Sequence, residues 1–149
     1  MTGVNGALTR TTTVSLTVNE GGGGGNGGVT VASAINSNTP WYNEQVVRLN
    51  NTGAITALSV TIVIQRTTGL GVNGLYNTVG GQIQQSATAS ATQLTYQFTL
   101  APGQTLSAGT NRIFAAQTSG TGAPHPTAGD TWTVTYTSGG QTVTRNGTF

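Results

Sequence analysis

Apolar and polar residues alternate with a period of two over most of the chain. Leu58, Val60, Ile62 and Ile64 fall on one face. Leu94, Tyr96, Phe98 and Leu100 share another, and Trp132, Val134 and Tyr136 share a third, with Thr131, Thr133, Thr135 and Thr137 opposite. This is the signature of strands buried on one side. Val29, Val31 and Ser33 alternate with Thr30, Ala32 and Ala34 in the same way, and residues 45–50, 79–85, 111–117 and 141–148 are further strand candidates. Turn-forming stretches separate them, among them Asn50-Asn51-Thr52-Gly53, Ala101-Pro102-Gly103-Gln104 and Ser138-Gly139-Gly140. No window has helical spacing with caps. The pattern therefore predicts an all-β fold: an antiparallel two-sheet β-sandwich, Ig-like or jelly-roll-like, of about eight short strands. A small barrel is the alternative. Threonine on the outer faces keeps β propensity high without exposing apolar patches, and such a face is also a flat polar platform for a ligand.

The alternation breaks at residues 21–28, Gly-Gly-Gly-Gly-Gly-Asn-Gly-Gly. This run buries no apolar surface and favours no single backbone conformation, so residues 20–28 read as a flexible linker. Residues 29–149 are then the folding unit. Ahead of the linker, Val14, Leu16 and Val18 alternate within Thr12 to Val18, but one strand cannot form a domain. With Asn5-Gly6 as a turn, residues 1–19 resemble the last hairpin of the Ig-like stalk repeats of secreted bacterial proteins. The chain is expected to be a terminal module of a longer protein.

Composition narrows the class. The 149 residues include no Cys and no Lys, five Arg and three acids, Glu20, Glu44 and Asp130, for a net charge of +2. Thr, Asn, Gln and Ser fill the polar positions, so the expected surface is neutral and hydrogen-bonding. Arg10, Arg48, Arg66, Arg112 and Arg145 are too dispersed to displace counterions from a nucleic acid. No apolar run approaches the roughly 20 residues of a membrane span. Residues 1–20 lack the basic start and apolar core of a signal peptide, so any export signal would lie upstream. The Lys-free, Thr-rich and Gly-rich character, with an exposed linker, suits a protein secreted from the cell, and a monomer is expected. About 120 residues bury enough core to fold without disulfides.

Catalytic chemistry finds little support. Glycoside hydrolysis needs two carboxylates across one cleft, and the folding unit offers Glu44 and Asp130 alone. Asp130, after Gly129, is expected to hydrogen-bond local backbone. The one His, in Pro124-His125-Pro126, is held in an extended loop, and no spacing ties it to a serine and an acid. No catalytic residue is assigned. Zinc or copper would lack ligands. Calcium could use Asn43, Glu44, Asp130 and backbone carbonyls, but the expectation is no metal and no cofactor.

The aromatic residues divide into two groups. Tyr96, Phe98, Trp132 and Tyr136 share faces with aliphatic residues and are expected in the core. Trp41 and Tyr42 are adjacent, between Asn36-Ser37-Asn38-Thr39-Pro40 and Asn43-Glu44. In an extended stretch their rings point in opposite directions, so at most one is core. An outward ring beside amides and a carboxylate suits a sugar, whose C–H groups lie on the aromatic face while its hydroxyls meet polar side chains. Tyr76, amid glycines in Gly69-Leu70-Gly71-Val72-Asn73-Gly74-Leu75-Tyr76-Asn77, is expected on an exposed loop. The candidate ligand-binding residues are Trp41, Tyr42, Asn43, Glu44 and Tyr76.

Six segments in order carry a further resemblance: Ser37 to Glu44, Ile55 to Ile62, Tyr76 to Gly81, Thr99 to Leu106, Phe114 to Gln117 and Gly129 to Tyr136. Together they resemble the carbohydrate-binding modules appended to secreted bacterial glycoside hydrolases, over residues 29–149. The resemblance implies non-catalytic binding of a polysaccharide, cellulose or a related β-glucan, with chitin and xylan as further candidates. It also implies a linked catalytic domain held near its substrate. The chain has no row of three evenly spaced surface aromatics of the kind that grips crystalline cellulose. A tether of eight flexible residues spans roughly 15 Å and would keep the linked domain at high local concentration. The alternative is a structural stalk or adhesin domain without sugar affinity.

Overall fold

A computed structural model describes residues 28–149. The hairpin read over residues 1–19 and all of the linker except Gly28 lie outside the described residues. Nine strands form among the described residues: β1 (Val29–Asn38), β2 (Tyr42–Asn51), β3 (Ile55–Gln65), β4 (Val72–Asn77), β5 (Ile83–Ala89), β6 (Gln93–Leu100), β7 (Gly109–Ser119), β8 (Thr131–Ser138) and β9 (Gln141–Thr148). They make two antiparallel sheets, a four-stranded one ordered β1-β2-β7-β4 and a five-stranded one ordered β5-β6-β3-β8-β9. This is the expected β-sandwich, and the sheets do not close into a barrel. No helix of the described residues is long and apolar enough to cross a membrane.

The period-two segments place the core. From the five-stranded sheet, Val60, Ile62, Ile64, Leu94, Tyr96 and Phe98 are fully buried. They pack against Val47, Leu49, Phe114 and Ala116 of the four-stranded sheet. Phe98 and Phe114 meet edge to face with centroids 5.5 Å apart, a geometry that adds about 1 kcal/mol to the burial of two rings. The Tyr96 hydroxyl crosses between the sheets to donate to the Gln117 carbonyl at 2.7 Å. Trp132 is partly buried against the same cluster and Tyr136 lies within it, as their pattern predicts.

The edges of the two sheets meet in pairs. Ser33 Oγ on β1 donates to the Thr148 carbonyl on β9 at 3.1 Å, and Asn77 Nδ2 on β4 donates to Gln85 Oε1 on β5 at 2.8 Å. On the outer face of the five-stranded sheet, threonines pair across strands, Thr135 with Thr144 at 3.0 Å and Thr137 with Thr142 at 2.8 Å. Uncharged side chains thus cover this face.

Two elements depart from the pattern. The segment around Tyr76, read as a loop, is the edge strand β4, and its register slips between Val72 and Gly74. A Cβ at Gly74 would stand 2.6 Å from Gln117 Oε1, so glycine admits that side chain beside the backbone. A bulged, glycine-bearing edge has no alternation to read. The strand placed at 79–85 begins instead at Ile83. Asn77 Oδ1 accepts from the Val79 and Gly80 amides and fixes a turn there, with Gly80 at φ 97°.

Candidate functional site

Trp41 stands at the bend between β1 and β2 and is 75% exposed. The bend is built from Thr39. Its amide donates to the Tyr42 carbonyl at 2.8 Å, and its hydroxyl oxygen accepts from the Tyr42 amide at 3.0 Å. The loop from β7 to β8 is laced onto the bend by two main-chain bonds, Gly120 N to the Trp41 carbonyl at 2.8 Å and Gly122 N to the Pro40 carbonyl at 2.9 Å. A Cβ at Gly120 would collide with the backbone of Pro40 and Trp41. Gly122, at φ 90°, leaves van der Waals room for the edge of the indole. Glycine therefore admits the backbone of the bend, and the ring is open to solvent.

Tyr42 begins β2, and with Glu44 it faces outward from the four-stranded sheet. Alternation puts them on the side away from the core, together with Val46 and Arg48. Glu44 collects donors from all four strands of the sheet. Oε2 accepts from Tyr42 Oη at 2.7 Å and from Gln117 Nε2 of β7 at 2.8 Å. Oε1 accepts from Asn36 Nδ2 of β1 at 2.9 Å and from Tyr76 Oη of β4 at 3.4 Å. Arg48 extends the network, donating to Asn36 Oδ1 at 3.2 Å and to Asn111 Oδ1 at 2.8 Å. The register slip in β1 between Ile35 and Ser37 accompanies this placement of Asn36.

The electrostatics follow from the bonds. Burial works to raise the Glu44 pKa, but the bonds from Gln117, Asn36, Tyr42 and Tyr76 outweigh it and hold the carboxyl below its ordinary value. Both phenols move the other way. Burial first, then the hydrogen bond to Glu44 and its charge, push Tyr42 up to about 12. Tyr76 is raised by burial and by the Glu44 charge and bond. Val46 and Ala115, directly opposed in the register and next to Tyr76, face the same way yet are inaccessible. The longer side chains around them cover them. The result is a fixed polar and aromatic surface on one face of the sandwich.

Three of the five sequence-predicted residues, Tyr42, Glu44 and Tyr76, are brought together here. Trp41 precedes Tyr42 at the bend, with Gly122 near the edge of its ring, and neither it nor Tyr42 enters the core. Asn43 points the other way: it is 2% exposed and faces inward, away from any surface ligand. Glu44 and Asp130, considered together for calcium, lie on opposite faces of the four-stranded sheet and cannot hold one ion. Among the described residues no group of three or more His, Cys, Asp and Glu comes together.

Asp130 is fully buried and reaches well beyond local backbone. Oδ1 accepts from the Gln65 amide at 2.8 Å, and Oδ2 accepts from Gln45 Nε2 and, at 2.8 Å, from His125 Nε2. Asn38 clasps the main chain of His125, donating to its carbonyl and accepting from its amide, both at 2.9 Å. Sequence reasoning missed this cluster, along with Asn36, Gln117 and Arg48. The alternation of Tyr42 with Glu44 was a signal for one pair; the partners from other strands had none.

No protein-family model matches the chain, and no curated protein matches it. Solved structures do resemble the fold. The full-length major pilin SpaD from Corynebacterium diphtheriae matches with a TM-score of 0.51 at 9% identity, over 80% of this chain and 34% of the pilin. A cohesin module from a family 33 glycoside hydrolase of Clostridium perfringens matches with a TM-score of 0.48 at 9% identity, over 79% of this chain and 95% of the module. The chitin-binding domain of Chi18aC from Streptomyces coelicolor matches with a TM-score of 0.34 at 21% identity, over 66% and 86%. This chain spans about a third of the length of the pilin. The likeness to the pilin shows a β-sandwich, and the two lower scores add nothing to it.

Proposed function

We propose that the sandwich is a non-catalytic polysaccharide-binding module of a secreted protein, which keeps a linked enzyme on its substrate. The observation that carries this reading is Trp41, a large aromatic ring 75% exposed at the end of a sparsely charged sandwich. An exposed indole offers a flat face to the C–H side of a sugar ring. The Tyr42 and Tyr76 phenols, bonded to Glu44 on the outer face of the four-stranded sheet, add a second aromatic and hydrogen-bonding surface. All four oxygen-directed bonds at Glu44 are made within the chain, so its role is to hold the rings. Catalysis by a carboxylate pair is disfavoured, because Glu44 and Asp130 face opposite sides of a sheet and share no cleft.

The ligand class is a neutral polymer. The net charge of +2 arises from dispersed arginines, and Arg48 is engaged with Asn36 and Asn111, so an acidic glycan has no cationic cradle here. Cellulose or a related β-glucan fits best, with chitin and xylan as the other neutral candidates. Contacts of about 1 kcal/mol per ring give micromolar or weaker affinity per site, which suffices on a repeating polymer. The test is retention of the full chain on amorphous cellulose, microcrystalline cellulose, chitin, xylan and mannan, alongside Trp41→Ala. Retention by the wild type and its loss in an equally stable Trp41→Ala variant supports the reading. Failure of every polysaccharide to retain the wild type overturns it and favours a stalk domain.

A further inference from the structure

Beneath the loop that is bonded to the Trp41 bend, polar side chains line the inner face of the four-stranded sheet. Asn38, Asn43 and Thr118 are consecutive partners across β1, β2 and β7. Two residues along β2, Gln45 faces the same way. His125 closes over this row from the loop, held by Asn38 through its main chain and by Asp130 through Nε2. Each of Asn43, Gln45, Thr118 and His125 is more than nine-tenths buried.

Five atoms in this row have no hydrogen-bond partner within the chain: Asn43 Oδ1 and Nδ2, Gln45 Oε1, Thr118 Oγ1 and His125 Nδ1. Burying so many polar atoms unpaired is incompatible with a marginally stable fold. Their chemistry identifies the partner. Asn43 Oδ1, Gln45 Oε1 and Thr118 Oγ1 are acceptors, and His125 Nδ1 can pair with water as acceptor or donor. The Asn43 amide and the Thr118 hydroxyl are also donors. A cation would leave the donors unpaired and an anion would leave the acceptors unpaired. Water serves both, and about two molecules supply enough O–H groups for these acceptors and enough lone pairs for the donors.

We propose that Asn43, Gln45, Thr118 and His125 form a built-in site for about two internal waters, which bridge the loop from β7 to β8 to the four-stranded sheet. The waters then help to fix Gly120 and Gly122, and through them the Trp41 bend. This inference does not depend on the ligand of the exposed ring.

The test is water-to-protein NOE spectroscopy on the full isotope-labelled chain, with a crystal structure of the same chain. Long-lived water cross-peaks to the Asn43 side-chain amide, and water density bonded to Asn43 and Thr118, are the expected result. Thr118→Val keeps the side-chain shape and removes the hydroxyl. It is expected to stay folded, to weaken or lose the water cross-peaks, and to shift the Trp41 indole and residues 120–125. Three results overturn the proposal: direct bonding between Asn43 and Thr118 with no water cross-peaks; a density peak with the short oxygen distances of a cation; or loss of the waters in Thr118→Val with the Trp41 signal unmoved. Should Thr118→Val fail to fold, Thr118→Ala, which removes the hydroxyl without burying a new polar group, gives the same readout at the Asn43 amide.

Discussion

Glu44 and Gln45 are neighbours in sequence, yet they serve carboxylates on opposite sides of one sheet. Glu44 is itself the outer carboxylate and gathers Tyr42, Gln117, Asn36 and Tyr76 at a surface that water reaches. Gln45 turns inward to Asp130, which is sealed from solvent with His125 and the Gln65 amide. The two clusters use the same chemistry, an anion with several donors, in different dielectric surroundings. Inside, the bonds hold a loop in place where bulk water does not reach. Outside, they orient two phenols at modest energetic cost, because water can take over when one is lost.

The largest expected effect is therefore at Asp130. Asp130→Ala strands the Gln65 amide, Gln45 Nε2 and the His125 ring, and is expected to lower stability by about 3 kcal/mol or more. For a domain of this size that corresponds to a fall in Tm of roughly 10 °C or more. Thermal or denaturant unfolding checks it. If Asp130→Ala unfolds no earlier than a Glu44 variant, the contrast between the inner and outer clusters is lost.

Glu44→Gln is expected to cost about 1 kcal/mol, since its new amide group faces donors that previously bonded a carboxylate. The same variant separates the pH response of the outer cluster. The folded-state pKa of Glu44 is lowered, so its contribution is complete above its unfolded value and is lost as pH falls through the folded value. The acid-side loss traceable to Glu44 disappears in Glu44→Gln. On the alkaline side the sign reverses: the raised Tyr42 contributes fully below its ordinary 10.0 and is lost as pH climbs through about 12. Ultraviolet titration of the phenols sharpens the comparison further. Without the Glu44 charge, Tyr42 and Tyr76 are expected to ionise at lower pH than in the wild type, while keeping the part of the shift that burial causes.

The same contrast explains what the sequence could disclose. Strands such as β3, β6 and β8 were legible because one whole face of each is buried, which imposes a period of two on Leu58 to Ile64, Leu94 to Leu100 and Trp132 to Tyr136. Tyr42 and Glu44 were legible as a pair for the same reason, two residues apart on one strand. The rest of the outer cluster was not. Asn36, Tyr76 and Gln117 come from three other strands, and no local pattern encodes the order β1-β2-β7-β4. The strand β4 was hidden by glycines that admit Gln117 and by its slipped register. Asp130 was misread for a related reason: Gly129-Asp130 looks like a turn that bonds itself, but the carboxylate bonds an amide 65 residues away, and only the packing of two sheets brings them together.

The smallest expected effect on stability belongs to the residue with the largest proposed effect on binding. Trp41 is mostly in water, so Trp41→Ala removes little buried area and is expected to change stability by no more than about 0.5 kcal/mol. Its backbone carbonyl, which accepts from Gly120, survives the substitution, so the bend and the loop stay joined. Unfolding curves of Trp41→Ala and wild type should therefore nearly coincide while retention on polysaccharide differs. A Trp41→Ala variant that unfolds as early as Asp130→Ala would mean that the indole is a structural plug for the loop, and the exposed ring would then lose its claim to be a contact surface.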